Sequence, residues 1–191
     1  MRKLISGMKI SLDGKVEGAD GIADWVEGWS EDYGLTPQID ACVLGAGMYT
    51  GYEGYWTAIQ NAPDKPHPMT GTLPTPDEVE WARFAARTPH YVLSSKPSET
   101  RWPNTTFLRS LDEIAALKTK PGKDVFLVGG AHTAASLINA GLVDELRLIL
   151  YPLIAGEGKS LFAPTGHRHG LELRKSEQLS GGRVRLTYGI V

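Results

Sequence analysis

Val125-Phe126-Leu127-Val128-Gly129-Gly130-Ala131-His132 is the stretch that decides the fold. Four apolar residues in a row read as a strand buried on both faces, which places it centrally in a sheet covered by helices. Two glycines end it. Ala131 to Ala140 then reads as a helix stopped by Gly141, so the stretch is a strand, a tight turn and a helix. Glycines at such a turn let a ligand approach the backbone. The amides of Ala131 and His132 would meet it at the positive end of the helix dipole. A plain connecting turn serves the same pattern, since neither the full GxGxxG nor the Walker motif is present.

Upstream, Met8, Ile10 and Leu12 at period two predict a strand from Leu4 to Leu12, closed by Asp13-Gly14. Gly7 inside it hints at close approach by a backbone or a ligand. Asp24 to Tyr33 reads as a short helix ended by Gly34. Ala41 to Leu44 is a short buried strand that flows into Gly45-Ala46-Gly47, with a helix from Met48 to Ile59 despite Gly51 and Gly54. The five prolines between Ala62 and Pro76 predict a surface connector. Pro76-Asp77 starts a helix with apolar spacing at Val79, Trp81, Ala82 and Ala85, followed by strands at Tyr91 to Ser94 and Thr106 to Leu108. Ser110 and Glu113 form a capping box for a helix through Lys118, which Pro121-Gly122 stops.

Downstream, Glu145 to Leu150 is another apolar strand. Leu171 to Leu179 and Arg183 to Ile190 make a terminal hairpin around Ser180-Gly181-Gly182. The sum is one α/β domain over residues 1–191: a mostly parallel central sheet with an antiparallel C-terminal hairpin, flanked by helices.

Composition narrows the function. The chain has 191 residues, 41% hydrophobic and 22% charged, as in ordinary globular proteins. A net charge of -2 without a run of like charges argues against nucleic acid as a partner. No apolar run approaches the length of a membrane span and no secretion signal is visible, which leads to the expectation of a soluble, cytoplasmic protein without a membrane partner. Cys42 stands alone, so neither a disulfide nor a CxxC pair can form within the chain. His167-x-His169 has no carboxylate or thiol at ligand spacing, so no metal is expected. A GxSxG hydrolase elbow is also missing.

Ligands of open α/β sheets bind at the carboxyl ends of strands. Gly45-Ala46-Gly47 and Gly129-Gly130 occupy two such ends. Ser94-Ser95-Lys96 ends a third with two hydroxyls and a cation, suited to a nucleotide phosphate. Trp25, Trp29, Tyr49 and Trp56 could stack on a planar ring, although most tryptophans pack in cores. Asp13, Asp24 and Glu27 are the acids nearest the end of the first strand, where one could protonate a reduced ring.

Taken in order, Ser11-Leu12-Asp13-Gly14, Asp24-Trp25, Ala41-Cys42-Val43-Leu44-Gly45, Val92-Leu93-Ser94-Ser95, Val128-Gly129-Gly130, Leu142-Val143-Asp144-Glu145-Leu146 and Gly156-Glu157-Gly158-Lys159-Ser160-Leu161-Phe162 resemble riboflavin-biosynthesis reductase C-terminal domains, a dihydrofolate-reductase-like family. The resemblance implies that fold, NADPH as hydride donor, a pteridine, ribosylamino-pyrimidine or similar heterocycle as acceptor, and a homodimer. Carried over by position, Gly45, Ala46, Gly47 and Met48, with Gly129, Gly130, Ala131 and His132, would hold the pyrophosphate. Ser94, Ser95 and Lys96 would hold the 2′-phosphate. The strand end Ser11 to Gly14 would receive the nicotinamide and acceptor, with Asp24, then Asp13, as candidate catalytic acids. Ala46, Met48 and His132 depart from the arginine, threonine and arginine that dihydrofolate reductases commonly place there. The family also implies a cis peptide between Gly129 and Gly130. Because the chain starts at the first reductase strand, no preceding deaminase domain is expected. Reduction of dihydrofolate itself, and nucleotide binding without turnover, are the alternatives.

Overall fold

In the computed structural model, which describes residues 1–30, 33–96, 99–162 and 165–191, most predicted elements form close to their expected places. In chain order these are β1 (Leu4–Ser11), β2 (Lys15–Glu17), β3 (Ile39–Gly45), α1 (Ala46–Asn61), α2 (Pro76–Arg87), β4 (His90–Leu93), β5 (Thr105–Leu108), α3 (Leu111–Thr119), β6 (Asp124–Gly129), α4 (Ala131–Asn139), β7 (Glu145–Tyr151), β8 (Lys159–Ser160), β9 (Leu171–Gln178) and β10 (Val184–Ile190). The main sheet runs β5-β4-β3-β6-β1-β7-β10-β9, and β2 pairs with β8 beside it. From β5 to β7 all neighbours are parallel. The hairpin of β9 and β10 joins antiparallel to β7.

Successive side chains on a strand point to opposite faces, and the central strands feed two separate cores in this way. Leu4, Val43, Val125 and Leu127 pack with Ile114 and Leu117 of α3 and Leu137 and Ile138 of α4. Their chain neighbours Ile5, Leu44 and Phe126 pack with Trp56 and Ile59 of α1 and Trp81 and Phe84 of α2. Burial on both faces is therefore why β6 reads as an unbroken apolar run. The proline-rich connector carries neither helix nor strand, as predicted.

Two expectations need correction. β1 lies between β6 and β7 and is buried on both sides, so its period-two pattern is incidental; the strand stops at Ser11 and Leu12 is exposed. The described residues between Asp24 and Tyr33 form turns and bends rather than a helix, with Glu31 and Asp32 outside the described residues. Backbone groups there bond to distant partners instead of to a helical ladder: Lys9 Nζ donates to the carbonyls of Gly28 and Ser30, and Glu78 accepts from the Trp29 amide. β7 is enclosed between β1 and β10. Among the described residues, no helix is long and apolar enough to cross a membrane.

Candidate functional site

Because β4, β3, β6 and β1 are parallel neighbours, their carboxyl ends share one edge of the sheet. A cavity of about 1040 Å³ opens there. The register brings Gly45 opposite Leu93 and Leu44 opposite Gly129, so three turns far apart in sequence become adjacent. Gly45, Ala46, Gly47 and Met48 line the cavity, as do Ser94, Ser95 and Lys96, and Gly129, Gly130, Ala131 and His132. Every residue expected to touch the pyrophosphate or the 2′-phosphate lies on this wall, whereas Ser11 to Gly14, expected to receive the nicotinamide and acceptor, do not line it; Gly7 and Met8, earlier on β1, do.

The helix starts differ in a way that matters for anions. At α2 and α3 the first-turn amides are met by Thr75 and Ser110 in complete capping boxes, and each first turn carries two acidic residues. At α1 and α4 the N-caps are Gly45 and Gly130, with no side-chain cap and no acid in the first turn. Orphan amides and the positive dipole end are left for another group to satisfy at the cavity.

The glycines serve separate ends. Gly129 and Gly130 adopt φ of 144° and 90°, which other residues rarely enter, and a Cβ on Gly129 would sit 3.1 Å from the Met8 sulfur. The peptide between them is trans, correcting the cis form that the resemblance implies; positive φ at both residues turns the chain without it. Gly47 and Gly51, one turn apart on α1, have open space where a Cβ would be, and both line the cavity. Gly7 also lines it, yet its missing Cβ makes room for the rings of Phe126, 2.8 Å away, and Tyr33.

At the end of β4, the buried Ser94 hydroxyl donates to the Lys96 carbonyl at 2.6 Å and accepts from the Lys96 amide at 3.2 Å. It shapes the turn. Ser95 and Lys96 are exposed, and Arg109 donates to the Ser95 carbonyl at 3.1 Å, a cation that the sequence pattern did not single out. The cavity is also lined by aromatic residues, Trp29, Tyr33, Tyr52, Tyr55, Trp56, Trp81 and Phe126. Of the four rings flagged in the sequence, Tyr49 and Trp56 are buried and Trp25 is partly buried against the same core. Glu17 and Lys159, paired at 2.9 Å, add a charged rim from the small sheet, and the buried Lys9 lies on the wall. Lone charged residues in short strands carry no sequence signal for such a place.

The two candidate acids are not brought to this wall. Asp13 accepts from the Ser11 hydroxyl at 2.6 Å and from the amides of Ala155 and Gly156, tying the end of β1 to the loop after β7. The hydrogen bonds from Ser11 and Ala155 lead in holding its carboxyl down at about 2, so it stays ionised near neutrality. Asp24 is exposed in a turn and does not line the cavity.

The family model of the RibD C-terminal domain matches residues 2–184. The chain belongs to that family. This RibD C-terminal-type chain is 32% identical over 192 residues to the uncharacterized protein YyaP of Bacillus subtilis (strain 168), covering 98% of this chain and 94% of that one. Among solved structures it is similar to a diaminohydroxyphosphoribosylaminopyrimidine deaminase/5-amino-6-(5-phosphoribosylamino)uracil reductase of Thermotoga maritima. The TM-score is 0.65 at 13% identity, over 100% of this chain and 57% of that one. It is also similar to dihydrofolate reductase from Enterococcus faecalis, solved with NADP(H), with a TM-score of 0.60 at 16% identity over 98% of this chain and 96% of that one. The RibD C-terminal chain thus has the dihydrofolate-reductase-like fold expected from its motifs.

Proposed function

We propose that this chain is an NADPH-dependent reductase that delivers hydride to a C=N or C=O carbon of a pteridine, ribosylamino-pyrimidine or similar heterocycle. The observation that carries this reading is the meeting of two uncapped helix starts with a wall of aromatic rings in one cavity. The first serves a pyrophosphate and the second serves flat rings.

NADPH supplies the hydride when bound. The chain binds and orients. The amides at the starts of α1 and α4 receive the pyrophosphate, and Gly47 and Gly51 leave room for it along α1. Lys96 and Ser95 face the 2′-phosphate at the end of β4. Gly7 and Met8 of β1 lie on the wall where nicotinamide and acceptor meet face to face. Membership of a reductase-like family and the NADP(H) complex of a neighbour with this fold support the cofactor assignment.

The test is a titration with NADPH and NADH, followed by the loss of reduced-nicotinamide absorbance with a panel of pteridines and ribosylamino-pyrimidines. Oxidation by at least one member is expected. Failure to bind NADPH overturns the reading; binding without turnover across the panel leaves a nucleotide-binding module in its place.

A further inference from the structure

We propose that Trp29 is the stacking residue that selects a planar, conjugated acceptor, and that Lys9 and Glu78 are positioning residues for it. The inference deepens the reductase reading and rests on it.

Trp29 lies in the irregular segment that replaces the expected helix, where no regular ladder fixes the chain. The residue is 45% exposed, whereas Trp56, Trp81 and Trp102 are all below 7%. Trp29 also lines the cavity. A large aromatic ring left in water forfeits its burial energy, so an indole held at a cavity wall is more economically explained by a flat ring that covers it.

The backbone around this ring is pinned from two directions. The Trp29 amide donates to Glu78 Oε1 at 3.2 Å, and the Tyr55 hydroxyl, on the same wall, donates to that oxygen at 2.8 Å. The other carboxylate oxygen accepts from the Thr75 amide and hydroxyl at the start of α2. From the sheet side, Lys9 Nζ donates to the carbonyls immediately before and after Trp29, Gly28 at 2.6 Å and Ser30 at 3.1 Å. Lys9 is 5% exposed and Glu78 4%. Burying such groups is costly unless their hydrogen bonds are made, and both spend bonds on residues 28–30. The outcome is a rigid backbone under a half-exposed indole, the pre-organisation a stacking platform needs. Stacking reads a π-face rather than an edge, so the acceptor class is planar conjugated heterocycles and excludes aliphatic ketones and imines.

The test uses the full chain, NADPH, and lumazine as a pteridine probe, titrated against wild type, Trp29→Phe, Trp29→Ala and Glu78→Gln. Trp29→Ala should weaken lumazine roughly five- to a hundredfold, with Trp29→Phe recovering most of the loss and Glu78→Gln lying between. NADPH affinity should stay within about twofold of wild type in all three variants, a split that general loosening of the fold would not produce. Lumazine should quench indole emission in wild type and quench it less in Trp29→Phe. Lumazine binding equally to Trp29→Ala and wild type overturns the inference, as does its failure to bind a wild type that binds NADPH. A wild type that binds no NADPH overturns the proposed function instead.

Discussion

A Cβ placed on Gly45, at the end of β3, would fall on the hydroxyl of Thr133 in the first turn of α4. The start of α1, whose N-cap is Gly45, is packed against the start of α4 through this glycine. Both uncapped helix starts therefore depend on one close contact.

Gly45→Ala and Gly51→Ala should accordingly move stability in opposite directions. Gly45→Ala overpacks the contact and should cost about 1 to 3 kcal/mol of unfolding free energy, with weaker NADPH binding. Gly51→Ala meets nothing within 4 Å and sits inside α1, so it should gain about 0.5 to 1 kcal/mol. Its methyl enters the cavity, and NADPH affinity should fall although the protein is more stable. Urea unfolding and NADPH titration of the two variants check this; a Gly51→Ala protein with undiminished affinity removes α1 from the cofactor wall.

Lys96→Ala should distinguish the two nicotinamide cofactors. Loss of a charge-assisted contact to the 2′-phosphate costs about 1.5 to 3 kcal/mol, roughly ten- to a hundredfold in NADPH affinity, with little change for NADH. Equal weakening of both cofactors would place Lys96 elsewhere than at the 2′-phosphate.

His90 should make stability fall on acidification. It is fully enclosed between Tyr52 and Trp102, and burial holds its pKa down at about 4, against the smaller upward pull of the Thr88 carbonyl and Glu53. Between the unfolded value of 6.5 and 4, the unfolded chain takes up a proton that the native chain refuses. Stability is therefore full above that window and declines by about 3 kcal/mol as pH falls through it. Glu53 and Glu78, whose carboxyls are held below their ordinary values by hydrogen bonds that outweigh burial, add loss in the same direction. Urea unfolding near neutrality and near pH 4 should show a shallower pH slope for His90→Phe than for wild type. Parallel slopes would remove His90 as the source.

We propose a homodimer that uses the β9–β10 edge of the sheet. β9 is exposed almost throughout, including Leu171 and Leu173 at 44% and 54%, and an open strand edge with apolar side chains invites a partner. Light scattering at micromolar concentration should return twice the chain mass, with the mass lowered by Leu173→Lys. A wild-type mass of 20.8 kDa, that of one chain, speaks against the dimer.

Local chemistry in the sequence was sufficient for most of the fold. The apolar run of β6, the Ser110–Glu113 capping box, the proline-rich connector and the Ser180-Gly181-Gly182 turn each depend on neighbours within a few residues, so each is legible in order along the chain. The glycine turns after β3 and β6 were legible for the same reason, since a turn between strand and helix restricts its own residues. What only the tertiary structure decided is where distant groups meet. Asp24 to Tyr33 reads as a helix because nothing local shows that Lys9 and Glu78 bond to the backbone of residues 28–30. Asp13 looked like an acid at a strand end until the amides of Ala155 and Gly156 closed around it. Trp29 was one aromatic among several, and only packing separated it from the buried Trp56. Hydrogen bonds across such sequence separations leave no periodic trace, because the parallel register of the strands, rather than any local spacing, sets which residues become neighbours.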